Sequence, residues 1–227
     1  MIYLVGIVIF LLLVFGPSLW VKRVLARYSH PKDRYPGTGG ELARHLLDSL
    51  DLAQVTAEIT DQGDHYDPDQ KVVRLTADKF NGRSLTAITV AAHEVGHAHQ
   101  DANGYRPLIW RTRLVKFLAP GERIGAAVLM LAPLVTLVTR APLAGLLMLL
   151  GGFLVLGLGA LVHFITLPME LDASFRRALP MLESGGYLKP GDKVHARRIL
   201  RAAAFTYVSV SLMSLLNVGR WWAILRR

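Results

Sequence analysis

Two histidines and a glutamate stand close together in the segment AAHEVGHAHQ, at residues 91–100. His93 and His97 are four positions apart, so on an α-helix both imidazoles project from one face and can bind one metal ion. Glu94 leans toward the same side, where it can accept a proton from a metal-activated water without binding the metal itself. The spacing therefore predicts a Zn²⁺ cofactor in a peptide-hydrolysing site, with Glu94 as the catalytic base.

A third zinc ligand has to come from elsewhere in the chain, because a catalytic zinc takes three protein ligands and one open position. The chain has no cysteine, so this ligand must be a histidine or a carboxylate. The third histidine of the metzincin pattern is excluded, because Gln100 and Asn103 occupy the positions where that pattern has glycine and histidine. The remaining candidates are the downstream carboxylates Glu122, Glu170, Asp172 and Glu183.

The segment LPMELDASFRRAL, residues 167–179, is typical of a helix because apolar residues recur along one face. Glu170 on this helix would complete a His-His-Glu site if it faced the first helix. Glu170 and Asp172 are two positions apart on the helix and cannot both face one metal ion. The residues favour Glu170 without excluding Asp172, and they leave open an ordinary ion pair of Glu170 with Arg176 or Arg177.

Capping residues predict the helix that carries the motif. Ser84 can cap a helix that runs to about residue 102, where Asn103-Gly104 ends it, and Thr38 can cap an earlier helix over about 39–50. The metal-binding motif is thus expected inside a helix, where its spacing has chemical meaning.

A β-hairpin is predicted between these two helices, in AEITDQGDHYDPDQKVVRLT, with its turn at Asp67-Pro68-Asp69-Gln70. Its second strand, residues 71–76, is a candidate for binding a substrate backbone by strand addition. His65 and Tyr66, beside the turn, are candidates for stabilising an oxyanion.

Apolar runs dominate the composition. Hydrophobic residues make up 52% of the 227 residues, with a net charge of +9 and a mean hydropathy of +0.35. A bilayer span needs about 20 apolar residues, and apolar runs occupy 2–20, 124–139, 141–167 and 202–219. These runs favour a membrane protein over a nucleic-acid binder of the same charge. The basic clusters at 22–27 and 111–123 place the metal-binding segments on the cytoplasmic side of the cell (inner) membrane.

The predicted fold class is mainly α with a small β-hairpin or sheet, in a multi-pass membrane protein with a zincin-like catalytic domain built on the His-Glu-x-x-His helix. His163, two helical turns before Glu170, is a further candidate for a role near the site. The predicted parts are an N-terminal transmembrane anchor at 1–21, a cytoplasmic zincin-like domain at 22–123, a transmembrane helical hairpin at 124–168, the third-ligand helix with a cytoplasmic segment at 169–201, and a transmembrane or membrane-surface helix at 202–227.

Three separated segments occur in an order that resembles a known family: DHYDPDQKVVRL, SLTAITVAAHEVGHAHQ and LPMELDASFRRAL. Together they are similar to the YugP-type membrane zinc metallopeptidases and, more distantly, to the HtpX/Ste24 (M48-like) gluzincins. The resemblance implies that His93, His97 and Glu170 hold zinc and that Glu94 is the general base. The chain departs from the M48-like pattern at Ser174, where that pattern has aspartate.

The function predicted from these observations is that of a membrane-bound zinc endopeptidase, which hydrolyses membrane or membrane-proximal proteins. Its expected partners are a protein or peptide substrate and the lipid bilayer, and no nucleic acid is expected. The alternative from another class is a catalytically inactive membrane scaffold or adaptor that keeps zinc for stability. The retained Glu94 argues against that alternative, because a structural zinc site has no use for a base.

Overall fold

The computed structural model describes the backbone of residues 2–216 and, within that range, the side chains except those at 2–11, 13, 14, 119, 122, 123, 153, 155, 156, 158–165 and 207–216. The chain is mostly helical, with one small sheet. Its elements are α1 (Ile2–Tyr28), α2 (Gly39–Ser49), β1 (Thr56–Thr60), β2 (His65–Asp67), β3 (Val72–Thr76), α3 (Ala77–Phe80), α4 (Leu85–Ala102), α5 (Arg106–Thr139), α6 (Pro142–Asp172), a π-helical segment (Ala173–Ala178), α7 (Leu179–Ser184) and α8 (Asp192–Leu216).

The sheet has three strands in the order β1-β3-β2. β2 and β3 form the predicted antiparallel hairpin, and Asp67 Oδ1 organises its turn by accepting the backbone N–H groups of Asp69 and Gln70 at 2.9 and 3.0 Å. β1 pairs with the other side of β3 in parallel. Because β3 is paired on both sides, the prediction that its strand binds substrate by strand addition is wrong.

Side-chain caps start the two helices that were predicted from them. Thr38 and Glu41 form a reciprocal capping box at the start of α2, with hydrogen bonds of 3.1 and 2.8 Å. Ser84 Oγ accepts the backbone N–H of Ala87 at 3.1 Å and caps α4. Helix α2 packs against α4. The two helices and the sheet share an apolar core whose most deeply buried members include Leu47, Val55, Val73, Leu75, Val95, Leu182, Ile199 and Leu200.

The chain divides into two compact units, each taken here over its described residues. The α/β unit comprises Gly16–Ile109 and Leu167–Thr206 and contains the sheet, α2 and α4. The helical unit comprises Trp110–Thr166 together with the described parts of Met1–Phe15 and Tyr207–Arg227. Within the helical unit, α5 ends at Thr139 and α6 begins at Pro142. The predicted break between two helices near Arg140 is therefore confirmed.

The multi-pass membrane architecture predicted from the sequence is wrong for the chain as the structure describes it. A bilayer span requires about 20 consecutive apolar residues in one helix. Within the part of the chain that is described, no helix combines that length with that apolarity. The predicted segment 202–219 is, as far as residue 216, the later part of α8, which begins at Asp192; residues 217–219 lie outside the described range.

Candidate zinc site

Helix α4 places both motif histidines in the interior of the α/β unit. His93, Glu94 and His97 are each no more than 5% exposed. The helix packs against the π-helical segment that follows α6. Gly96 allows this close approach, since a Cβ built at Gly96 would lie 2.8 Å from the carbonyl oxygen of Ala173. The small residues of the motif helix therefore let the second metal-binding segment reach the histidines.

Glu170 meets both histidines from the end of α6. Its Oε2 atom lies 3.1 Å from His97 Nε2 and 3.4 Å from His93 Nε2. The three side chains offer ligand atoms that all lie within 4.8 Å of one another, and all three residues are buried. The structure thus brings together the three residues predicted as zinc ligands.

Ser174 fixes the orientation of His93. The Ser174 hydroxyl donates to the backbone carbonyl of Leu200 at 3.1 Å. It must therefore accept from His93 Nδ1–H, which lies 3.1 Å away. With the proton on Nδ1, the Nε2 lone pair of His93 is directed toward Glu170. Ser174, the position that departs from the M48-like pattern, thus holds the histidine through a neutral hydroxyl.

Gln100 plays the corresponding part for His97. Gln100 Oε1 lies 2.9 Å from His97 Nδ1. The amide group of Gln100 donates to the backbone carbonyl of Met169 at 2.9 Å and to Asp172 Oδ2 at 2.8 Å. Both donor hydrogens are used, so Oε1 is an acceptor, and His97 carries its proton on Nδ1. The Nε2 atoms of both histidines are therefore free to bind a metal ion.

Charge distribution in the site follows from burial and from these contacts. Burial lowers the pKa of His97, but the charge of Glu170 outweighs burial and raises that pKa above its usual range. Burial raises the pKa of Glu170, but His97 and His93 outweigh burial and lower it. Glu170 is thus a carboxylate that requires a positive partner in the interior of the unit, and a zinc ion can supply that charge.

Glu94 differs from Glu170 in its surroundings. Burial raises the pKa of Glu94, and the neighbouring histidines oppose that increase without cancelling it. Glu94 Oε2 is buried and has no hydrogen-bond partner among the described residues. A buried carboxyl oxygen without a partner is costly in a folded protein. Glu94 Oε2 is therefore suited to contact a water molecule or a substrate group.

The donor set fits a zinc ion. In a tetrahedral site with bonds of about 2.0–2.1 Å, ligand atoms lie roughly 3.4 Å apart, close to the separations between Glu170 Oε2 and the two Nε2 atoms. Glu170 Oε1 is also buried without a hydrogen-bond partner in the described part of the chain. Two imidazoles and one carboxylate leave a fourth position open, as catalytic zinc sites do.

The other candidate ligands have different partners. Asp172 Oδ2 accepts from Gln100 and from Arg177 Nε, the latter at 2.9 Å. Glu183 pairs with Lys193 at 2.8 Å. The side chains of Glu122 and His163 lie outside the described residues. The ordinary ion pair considered for Glu170 is excluded, because Glu170 faces the two histidines.

The hairpin residues considered for the oxyanion also have other partners. Tyr66 is buried, and its hydroxyl donates to Asp101 Oδ2 at 2.7 Å. His65 Nδ1 lies 2.8 Å from the carbonyl oxygen of Gly63.

The role of Gln100 and its link to Asp172 were not found from the sequence. The available signal was that Gln100 stands three positions after His97, one helical turn away on the same face.

Comparison with known proteins agrees with this geometry. The family model described as "Putative neutral zinc metallopeptidase" matches residues 3–226. The chain is 36% identical over 214 residues to the "Putative membrane protease YugP" of Bacillus subtilis (strain 168), covering 91% of this chain and 90% of that protein. No solved structure matches the chain. With a family model that spans nearly the whole sequence and a buried His-His-Glu cluster suited to zinc, the chain belongs to this family of neutral zinc metallopeptidases.

Proposed function

We propose that the chain is a zinc-dependent endopeptidase in which His93, His97 and Glu170 hold the metal and Glu94 is the general base. The observation that carries the proposal is the convergence of three buried ligand atoms beside a carboxyl group whose Oε2 has no partner among the described residues. Family membership supports the same assignment.

The chemistry can be divided between the metal and the protein. Zinc, when bound, supplies the Lewis acidity that makes a water molecule acidic and polarises a peptide carbonyl. With zinc bound, Glu94 would accept the proton of that water and later donate it to the leaving amine. Ser174 and Gln100 hold the two imidazoles with Nε2 toward the metal, so the ligands need little rearrangement when zinc binds.

The substrate class in this proposal is a protein or peptide, and we place the enzyme at a membrane, where membrane-proximal proteins would be its substrates. The support for this location is the name of the Bacillus subtilis relative, which is called a membrane protease. The scaffold alternative needs zinc but no base. Glu94 Oε2 is buried and has no partner in the described part of the chain, which favours the peptidase, because a stability role gives no reason to keep that carboxyl without one.

Substitution of Glu94 tests the proposal. Glu94→Gln should keep zinc at the wild-type stoichiometry and lose hydrolysis by a factor of about 10² or more, because glutamine has nearly the same shape but cannot accept the proton. The measurements are metal content by elemental analysis and cleavage of an unfolded protein such as casein. Glu183→Gln is the matched control, since it makes the same chemical change at an exposed residue paired with Lys193. Wild-type cleavage by a zinc-loaded Glu94→Gln protein would exclude Glu94 as the base and leave the proposed mechanism without support.

A further inference from the structure

A second concave site lies in the α/β unit, between the later part of α1 and the early part of α8. Its volume is about 660 Å³. We call it the arginine pocket, and its lining residues are Trp20, Arg23, Val24, Arg27 and Tyr28 from α1 and Val194, Arg197, Arg198 and Arg201 from α8. None of these nine residues belongs to the candidate zinc site. An inference about this pocket therefore does not depend on the proposed peptidase activity.

The arginine pocket concentrates positive charge without carboxylates to balance it. Arg23 and Arg27 are four positions apart on α1, and Arg197 and Arg201 are four positions apart on α8. Like charges at that spacing repel one another along a helix. Within the described residues, none of the five pocket arginines has a carboxylate in ion-pair distance. Two of them contact Tyr28, whose hydroxyl accepts from Arg198 at 3.2 Å and whose ring lies beneath Arg27.

Elsewhere in the α/β unit, basic side chains commonly do have carboxylate partners. Ion pairs are made by Arg34, Arg44, Lys71, Arg74, Lys79, Arg177 and Lys193. The distinguishing feature of the arginine pocket is that five arginines without such partners among the described residues line one cavity. Five guanidinium groups around one cavity are suited to a compact anion with several oxygens, because each guanidinium presents a planar fork of N–H donors that matches phosphate.

The rim of the pocket adds an apolar feature next to the charges. Trp20 lines the pocket, and Leu19 is the residue before it on α1; they are 39% and 52% exposed. A tryptophan beside arginines is typical of the boundary between lipid headgroups and acyl chains. A nucleic acid would use the charges but not an exposed leucine. We propose that the arginine pocket binds the phosphate of an anionic phospholipid, with Leu19 and Trp20 against the start of its acyl chains.

The test uses the purified chain in an uncharged detergent. Binding of dihexanoylphosphatidylglycerol, dihexanoylphosphatidylcholine and inorganic phosphate is measured by calorimetric titration, and a short single-stranded oligonucleotide is included as a competitor. We expect saturable binding of the anionic lipid, weaker binding of the zwitterionic lipid, and still weaker binding of inorganic phosphate. Added salt should weaken the binding of the anionic lipid, because the attraction is between charges.

Two matched double variants locate the binding. R197Q/R201Q should weaken binding of the anionic lipid by roughly 30-fold, which is about fivefold for each arginine. R83Q/R106Q removes the same charge from exposed positions outside the pocket and should change binding by less than about twofold if the site is local. Both variants should keep the wild-type unfolding temperature, since all four side chains are exposed.

Several results would overturn the proposal. Equal loss in the two double variants would mean that the lipid responds to net charge and not to the pocket. Equal affinity for the two lipids would remove the charge selectivity. Inorganic phosphate that binds as tightly as the anionic lipid, with loss in R197Q/R201Q, would assign the pocket to a free phosphate-bearing ligand. Displacement of the lipid by submicromolar oligonucleotide would assign it to nucleic acid.

Discussion

The two metal-site histidines are held by different side chains that serve the same purpose. His93 donates from Nδ1 to a hydroxyl, Ser174, and His97 donates from Nδ1 to an amide, Gln100. Neither partner is charged. A neutral partner fixes the tautomer without adding negative charge to a site that already contains the carboxylates of Glu170 and Glu94. The negative charge of Asp172 is paired with Arg177, so this carboxylate adds no uncompensated charge to the site either.

The distinction between a ligand and a supporting residue leads to a prediction for Glu170 and Asp172. Glu170→Ala should weaken zinc binding far more than Asp172→Ala, because only Glu170 points an oxygen at both Nε2 atoms. Asp172 acts through Gln100, and loss of such a supporting contact costs about 10–100-fold in metal affinity. Zinc affinity of the two variants is measured side by side by competition with a chelator of known affinity.

If Asp172→Ala weakened zinc binding more than Glu170→Ala, the proposed ligand set of His93, His97 and Glu170 would be wrong. A protein that keeps zinc with Glu170→Ala and loses it with Asp172→Ala would make Asp172 the third ligand, next to His93 and His97. His99→Ala is a suitable control for histidine removal, since His99 lies on α4 but has no contact with Glu170 among the described residues, and it should retain zinc.

At the scale of elements, local sequence signals were sufficient for the pieces that carry the site. Caps at Thr38 and Ser84 and the Asp67–Gln70 turn are short-range features, so α2, α4 and the hairpin could be predicted with nearly their observed bounds. The parallel pairing of β1 with β3 could not be, because it depends on the connection through β2. The π-helical segment at Ala173–Ala178 also lacks a sequence signal, since its wider turn depends on what α6 and α7 pack against.

The approach of α4 to the π-helical segment is the contact on which the site depends most directly. Gly96→Ala would place a methyl group 2.8 Å from the Ala173 carbonyl oxygen, and this backbone atom cannot rotate away. Overpacking costs about 1–3 kcal/mol, against a gain of about 0.5–1 kcal/mol from higher helix propensity. We therefore expect a lower free energy of unfolding and weaker zinc binding, because the segment carrying Ser174 and the end of α6 must move away from the histidines.

Gly151→Ala is the matched control for helix propensity. Gly151 lies inside α6, and a Cβ there would meet no atom within 4 Å, so this variant should be unchanged or slightly more stable. Urea denaturation and zinc titration of the two variants check the comparison. If Gly96→Ala matched Gly151→Ala in both measurements, the close approach of the two segments would not be needed for the site.

At the scale of the whole molecule, the α/β unit is built from two separated stretches of chain. His93 and His97 come from the first stretch, Gly16–Ile109, and Glu170 comes from the second, Leu167–Thr206. The order of motifs in the sequence indicated that they belong to one site. It did not indicate what holds the stretches together, because those contacts join residues far apart. Tyr28 meets His195 at 3.1 Å and Asp192 meets Arg34 at 2.6 Å, across 167 and 158 positions.

Asp192 is the most deeply buried member of these joining contacts. Its carboxylate accepts two hydrogen bonds from Arg34 at 2.7 and 2.6 Å and one from the Tyr35 hydroxyl at 2.5 Å. Burial raises the pKa of Asp192, but the bonds from Arg34 and Tyr35 outweigh burial and lower it. Burial and the same carboxylate raise the pKa of Tyr35 to about 12, so Tyr35 remains a donor throughout the neutral range.

The lowered pKa of Asp192 gives the stability of the chain a defined dependence on pH. A carboxylate whose pKa is lower in the folded state stabilises the fold above its unfolded pKa of about 3.9, and that stabilisation is lost as the pH falls through the folded pKa. Asp192→Asn should therefore lower the free energy of unfolding by about 2 kcal/mol at pH 7. The deficit should stay constant down to about pH 5 and shrink below about pH 4, where the carboxylate of the unfolded wild-type chain begins to take up a proton before that of the folded protein does.

Urea denaturation of wild type and Asp192→Asn at a series of pH values measures this deficit. Asp48→Asn is the control, because Asp48 pairs with Arg44 at the surface, and exposed pairs contribute about 1 kcal/mol at most. A deficit that is the same at pH 7 and pH 3.5 would show that the asparagine disturbs packing and that the charge of Asp192 does not hold the two stretches together. A deficit that grows as the pH falls would reverse the sign of the linkage and would mean that the pKa of Asp192 is higher in the folded protein than in the unfolded chain.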